Sequence, residues 1–244
     1  MSLPKIEHPR FELEVPSTKQ KVKFRPFVMR EYKALLQAVE MRNGTAIVNT
    51  IADIIKDCTF GELDITKLKI YDIDYIFLAI RSKSIGQRIP IVYTCAHCNE
   101  EVEGFVDLGK VKIEYPENYK EEVIVKVSDT SGIVLQAPQF SLWRQNVERM
   151  YDGEGDNVDN VYDAFILSAV KSVYDGDEVK LPGVDFTDKE LLEWIVSQSV
   201  EVNNEVEAFF NTGNPRCILE VEAKCQKCDK DNKFTLGSLE DFFV

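Results

Sequence analysis

Histidine is nearly missing from this chain of 244 residues, which carries only His8 and His97. Neither stands beside an obvious nucleophile, so a histidine-based catalytic triad is disfavoured. Positive charge is also scarce. Lys and Arg number 29 against 42 Asp and Glu, a formal net charge of -13 and a pI near 4.7. The field of such a molecule repels nucleic-acid phosphate and anionic lipid, and mainly favours solubility. No apolar run approaches the roughly 18 residues that a bilayer span requires. The opening Met1–Lys5 lacks the apolar stretch of a secretory signal. Together these absences lead to the expectation of a soluble chain in a reducing cytosol, where paired cysteines mean metal or redox chemistry rather than disulfides.

What is present is a mixture of two periodicities. Phe11–Val15 alternates apolar residues with carboxylates, and Lys21–Arg25 alternates them with cations. Both runs have the two-residue period of a half-buried strand, and the turn-rich Pro16–Gln20 between them predicts a hairpin. Helical stripes follow: Tyr32, Leu35, Leu36 and Val39; then Ile47, Ile51, Ile54, Ile55 and Cys58; then Ile73, Ile76, Phe77 and Ile80, ending near Gly86. From Ile89 the period returns to two. Strand-like runs lead into and out of Cys95-Ala96-His97-Cys98, and the same plan recurs around Cys225-Gln226-Lys227-Cys228. Between them, 123–127 and 133–135 predict another hairpin. Helices are predicted near 139–151, 158–174 and 200–210, with one opening on the capping pattern Thr187-Asp188-Lys189-Glu190. Asp152–Asn157 reads as an acidic loop, and Asp175-Gly176-Asp177 as a turn.

The fold class that follows is α+β. An N-terminal β-hairpin and helical layer occupy 1–87. A zinc-ribbon-like pair of hairpins is formed by 88–109 with 216–238. A β-hairpin/helical insertion covers 110–215, and 239–244 is a C-terminal tail.

Cys95, Cys98, Cys225 and Cys228 carry the strongest chemical signal. A C-x-x-C turn presents two sulfurs to one point, and two such turns complete the tetrahedral shell that a structural zinc requires. Compact ribbons place their pairs roughly 15–20 residues apart. Here Cys98 and Cys225 lie 127 positions apart, so context rather than spacing supports a single shared zinc per chain. The alternatives are a redox dithiol, two unrelated turns, or a site completed by His97. A thioredoxin-like dithiol should open a helix, whereas Asn99–Val102 reads as a returning strand. His97 sits inside its own turn and would crowd its neighbours. Cys58 and Cys217 fall on apolar faces and are expected to be buried thiols.

Other motifs dissolve on inspection. Gly104–Lys110 has the spacing of a phosphate-binding loop, but Val111 replaces the required hydroxyl and an extended stretch replaces the helix. Asp152–Asp163 is partly similar to a calcium loop, yet Asn157 replaces its glycine and the closing glutamate is missing. No positive case for an enzyme emerges.

Lys21-Val22-Lys23-Phe24-Arg25-Pro26-Phe27 and Arg30–Leu36 form a distinctive N-terminal pattern. Cys58-Thr59-Phe60-Gly61, Tyr71–Leu78 and Arg81–Gly86 continue it. With these segments the chain resembles the baseplate hub assembly proteins of T-even-type contractile-tailed bacteriophages, most strongly over 10–110. The resemblance implies a role in building the hub of the tail baseplate, as a hub subunit or an assembly factor. It also implies other baseplate and hub proteins as partners. The location would be the host cytoplasm during assembly or the virion baseplate. It carries no catalytic motif and does not itself specify the zinc site.

Two surfaces suit such a role. One is the tail with Leu239, Phe242 and Phe243, whose apolar residues could anchor in a partner groove or pack on their own core. The other is the face bearing Lys21, Lys23 and Arg25, which could equally be a solvated strand face. A competing function is a zinc-ribbon adaptor recruiting a polymerase or nucleic acid. Its discriminator is charge near the metal, where nucleic-acid ribbons usually present Lys or Arg. Glu100, Glu101 and Glu103 flank one knuckle, and Lys224, Lys227, Lys230 and Lys233 surround the other.

Overall fold

A computed structural model describes residues 6–41, 44–152 and 161–237. Most of the acidic loop expected after Asp152, the start of the helix expected from 158, and the tail with Leu239, Phe242 and Phe243 lie outside the described residues.

The N-terminal alternation becomes β1 (Phe11–Glu14) and β2 (Lys21–Phe24), paired antiparallel with Glu12 opposite Lys23 and Glu14 opposite Lys21. Leu13, Val15, Val22 and Phe24 are buried beneath them. Three helices form the layer behind: α1 (Met29–Glu40), α2 (Gly44–Cys58) and α3 (Ile70–Ser84). The stripes of α2 and α3 bury Ile51, Ile54, Ile55 and Cys58, and Ile73, Ile76, Phe77 and Ile80, on the faces the sequence predicts. In α1 the face is rotated. Glu31, Leu35 and Ala38 are buried while Leu36 points outward, because Glu31 turns inward to meet Arg25. α2 stops where Phe60 and Gly61 take left-handed backbone, and the Gly61 amide donates to the Lys56 carbonyl at 2.9 Å.

Hairpin and helices are tied by one buried carboxylate. Asp72 accepts from the Lys69 amide at 2.9 Å, capping α3. It also accepts from the amide and hydroxyl of Ser17, at 2.8 and 2.5 Å, in the β1–β2 turn. A side chain with no exposure is thereby supplied with three donors.

β3 (Arg88–Thr94) and β4 (Glu101–Asp107) form the hairpin expected around the first cysteine pair. β10 (Arg216–Lys224) and β11 (Asp231–Leu236) form the second. β5 (Lys112–Glu114) is three residues long, too short for a periodic signal, and pairs with β10. It lies within the stretch read as an insertion, so that stretch begins inside the sheet of the second hairpin.

The remaining strands form a meander in the order β6 (Glu122–Lys126), β7 (Ser131–Gln136), β8 (Val170–Asp175) and β9 (Glu178–Lys180). Packed with it are α4 (Phe140–Asp152), α5 (Val161–Ala169), α6 (Asp188–Val196) and α7 (Val200–Ala208). The helix expected to run to 174 ends at Ala169. Beyond it Val170, Ser172 and Val173 fit a strand whose free partner, β7, lies alongside, and tertiary pairing overrides the apolar run. Helix and sheet are thus mixed, and among the described residues there is no barrel.

Two hydrophobic cores result. The first joins β1–β2, α2, α3, β3–β4 and β10; the second joins β6–β8 to α4–α7. α4 belongs to both, with Phe140 in the first core, Val147 in the second and Trp143 packed against each. Asp74 of α3 sits at this junction. It lines a cavity of about 160 Å³ with Phe165 and Asn214, and another of about 60 Å³ with Trp143.

Candidate metal centre

The two C-x-x-C turns are built alike. The Cys95 amide donates to the Glu100 carbonyl and the Asn99 amide returns to the Cys95 carbonyl, both at 2.9 Å. In the second turn Cys225 and Lys230, then Asp229 and Cys225, repeat the same two bonds at 2.9 Å. Asn99 and Asp229 occupy the left-handed backbone position of each turn, with φ of 58° and 60°. Asn and Asp tolerate that conformation better than most residues. The result curls both cysteines of a pair toward one side of the turn. An amide then points at the first sulfur in each case, His97 to Cys95 and Lys227 to Cys225, both at 3.4 Å.

β3–β4 and the β11-β10-β5 sheet are not hydrogen-bonded to each other as strands. Their knuckles are brought together by side chains. The Ala96 amide donates to Asn232 Oδ1 at 2.9 Å, and the His97 ring Nε2 lies 3.1 Å from the Asp231 carbonyl. Lys227 Nζ meets Glu100 Oε2 at 2.6 Å, and the rings of Tyr93 and Phe234 pack with centroids 5.3 Å apart. Asn232 is buried and carries no sequence signal of its own; it reads as one more polar residue in an alternating strand.

The sulfurs of Cys95, Cys98, Cys225 and Cys228 all lie within 4.8 Å of one another. Cys95 is 3.7 Å from Cys228, and Cys98 is 3.8 Å from Cys225. Those separations are far beyond a disulfide's, about 2.05 Å. A tetrahedral zinc with Zn–S near 2.3 Å places its sulfurs about 3.8 Å apart. The donor set therefore fits a tetrahedral, thiolate-binding metal, and His97 is directed to a carbonyl rather than to the sulfurs. Cys95 and Cys225 are fully buried, and Cys98 and Cys228 are half-buried. Burial pushes the Cys95 thiol up, but the amides of His97 and Cys98 and the side chain of Asn232 outweigh it, drawing its pKa down to about 6. The Lys230 amide favours the Cys228 thiolate, yet burial and the other sulfurs push that group up to about 12. Four thiols this close cannot all ionise without a cation among them.

The remaining cysteines behave as expected of core residues. Cys58 is buried, with its thiol pushed up to about 12, and Cys217 is buried and likewise raised.

Of the cations proposed for a docking face, Lys21 and Lys23 are exposed, and Lys21 stands 3.8 Å from Glu12. Arg25 does not share that face. β2 ends at Phe24, and the Arg25 guanidinium turns inward to Glu31, at 2.7 and 3.2 Å, and to the Cys58 sulfur at 3.7 Å. Burial alone would raise the Glu31 carboxyl; Arg25 and the Val28 amide outweigh it and hold the carboxyl below its ordinary value. The period-two reading failed at Arg25 because a salt bridge, not strand geometry, sets its direction.

Three of the four lysines around the second knuckle are engaged as well, and Lys230 has no ion pair among the described residues. Lys224 pairs with Asp229 at 2.8 Å, Lys227 with Glu100 at 2.6 Å, and Lys233 with Glu222 at 2.6 Å.

Fold and site together define a mixed α/β protein whose chain-distant hairpins meet at a four-cysteine cluster. No helix among the described residues is long and apolar enough to cross a membrane. The chain belongs to the T4 bacteriophage base plate protein family, which it matches over residues 8–244. No curated protein and no solved structure matches it. The resemblance drawn from the N-terminal segments therefore holds at the level of the family, and extends over nearly the whole chain.

Proposed function

We propose that the protein is an assembly factor or component of the baseplate hub, acting through protein–protein contacts and not as an enzyme. Cys95, Cys98, Cys225 and Cys228 would hold one structural zinc ion per chain. The zinc would supply a cross-link between β3–β4 and β10–β11. The observation that carries the reading is family membership over residues 8–244. Four cysteine donors suffice for a tetrahedral shell and His97 faces a carbonyl, which supports a closed, structural site rather than a catalytic one. The proposed location is the host cytoplasm during tail assembly or the virion baseplate.

Mass spectrometry of purified virions beside infected-cell lysate tests the role. Stoichiometric presence in virions means a hub subunit, and presence in lysate alone means an assembly factor. Failure of a gene-disrupted phage to show any defect in tail formation would sink both. The adaptor reading, with nucleic acid as ligand, has less support, because Lys224, Lys227 and Lys233 beside the metal already meet carboxylates. Binding of single- or double-stranded DNA or RNA at low salt would revive it.

A further inference from the structure

The second core carries a cleft of about 410 Å³ between the β7–β9 edge of the meander and α6. Trp194 of α6, Phe186 and Tyr174 of β8 line it. The chain has two tryptophans, and they are treated differently. Trp143 is bracketed by Phe140 and Phe165, with centroids at 6.2 and 5.7 Å. Trp194 is only half-buried, and its indole makes no hydrogen bond or ring contact with another described residue.

Around this ring the charge is one-sided. Asp175, Asp185 and Glu190 line the cleft against one cation, Lys180, whose ion-pair partner is Glu178 at 4.0 Å. Glu190 is fixed in place by the amide and hydroxyl of Thr187, at 2.8 and 2.9 Å, and that contact holds its carboxyl below the ordinary range. Asp185 is fixed by the Leu181 amide at 2.8 Å. Neither bond neutralises the charge, and the exposed Asp175 carboxylate makes no ion pair or side-chain hydrogen bond among the described residues. The loop that carries Phe186 is also set in advance. Gly183, at φ +72°, lets the chain turn so that its amide donates to the Phe186 carbonyl at 2.9 Å. The Phe186 loop and the carboxylates of Asp185 and Glu190 are therefore in position before anything binds.

We propose that this cleft is a docking site for a basic segment of a partner protein, seating a Lys or Arg side chain over Trp194 between Asp175 and Glu190. It rests on the reading of the chain as one that works by protein–protein contacts, and names the chemistry of one partner. A cation over an indole is held by the ring quadrupole, and flanking carboxylates add attraction without a new desolvated pair. An oligosaccharide could also stack on a tryptophan, but it would leave the excess negative charge unanswered.

The test uses the full zinc-loaded chain and the peptide acetyl-Arg-Gly-Arg-amide, read by tryptophan fluorescence and by heteronuclear NMR shifts. Binding should perturb Trp194 and not Trp143. Trp194→Ala should weaken it about fivefold, and Asp175→Asn roughly threefold, with melting temperatures unchanged for the exposed Asp175→Asn. Glu62→Gln, an exposed carboxylate on the first core, should leave affinity unchanged. The proposal is overturned if Glu62→Gln weakens binding as much as Asp175→Asn. It is equally overturned if no shift appears at Trp194, or if maltohexaose binds there as tightly and independently of salt. Loss of the peptide result leaves the baseplate role standing, and a negative virion and tail-formation result leaves the peptide result standing.

Discussion

Replacing Cys225 with serine removes one sulfur from the cluster and, with it, the proposed zinc cross-link between two hairpins that share no strand pairing. The magnitude follows from chain entropy. The loop closed between Cys98 and Cys225 spans 127 positions. For a cross-link of that length the lost constraint on the unfolded chain amounts to about 5 kcal/mol at 25 °C. Domains of this kind are stable by about 5–15 kcal/mol in total, so the loss is a large fraction of the whole. At this chain length it corresponds to a fall in Tm of about 10–20 °C. What remains between the hairpins includes the Ala96–Asn232 bond, the His97–Asp231 contact, the Lys227–Glu100 pair and the Tyr93–Phe234 packing. The Lys227–Glu100 pair is exposed and contributes little. The assay is thermal unfolding of loaded, chelated and Cys225→Ser protein, with zinc content measured on the same samples. Loaded protein should hold close to one zinc per chain. Because the four sulfurs act as a unit, Cys98→Ser combined with Cys225→Ser should be scarcely worse than either alone. A chelated wild-type chain that melts within about 2 °C of the loaded one would refute the reasoning.

Asp74 gives a pH signature elsewhere in the molecule. Burial, with Asp72 nearby, pushes its carboxyl up to about 7. The folded state then keeps a proton that the unfolded chain releases near pH 4, so stability should fall as pH rises from about 4 to about 7 and level off above. The loss is bounded at about 4 kcal/mol, and urea midpoints across that range should show a slope that Asp74→Asn reduces, leaving the part due to buried Asp72, whose carboxyl is also raised; an equal slope in the variant rules the assignment out. Glu31→Ala should destabilise by about 3–5 kcal/mol, because it leaves the Arg25 guanidinium, itself 15% exposed, without its carboxylate. Equilibrium denaturation checks this, and a loss under about 1 kcal/mol would contradict the buried pairing. Thr187→Ala removes the α6 cap and should cost about 1 kcal/mol while leaving zinc content unchanged, since α6 belongs to the second core.

Much of the first core could be read from the residues because its signals are local. Ile89, Ile91 and Tyr93, and Cys217, Leu219 and Val221, alternate along strands that bury one face. The cysteine turns declare themselves through type and spacing. Their convergence on one point is a matter of topology, and the sequence could support it only by the likeness of the two flanking hairpins. Legibility ended where direction is set by a partner far along the chain. Val170–Asp175 carries apolar residues compatible with either period, and becomes a strand only because β7 offers an edge. Lys112–Glu114 is too short to show a period at all. Arg25 reads as part of a strand face, and nothing in its spacing from Glu31 announces that the two bury each other. A helical stripe does not distinguish an aromatic filling a core from one, such as Trp194, walling a cleft.

The distance along the chain between the two cysteine knuckles also sets an order of events in time. A ribosome adding about 5–20 residues per second delivers the second pair some 127 positions after Cys98, a delay of about 6–25 s. During that interval Cys95 and Cys98 form half a site, and two thiols cannot enclose a metal. The whole meander and its helices emerge before the ring can close. Synthesis that stops anywhere between the knuckles therefore yields a product with a bare dithiol and a first core lacking β10, which proteases and chaperones can distinguish from finished protein. Closure of the cysteine cluster thus marks a chain whose two cores have both been made.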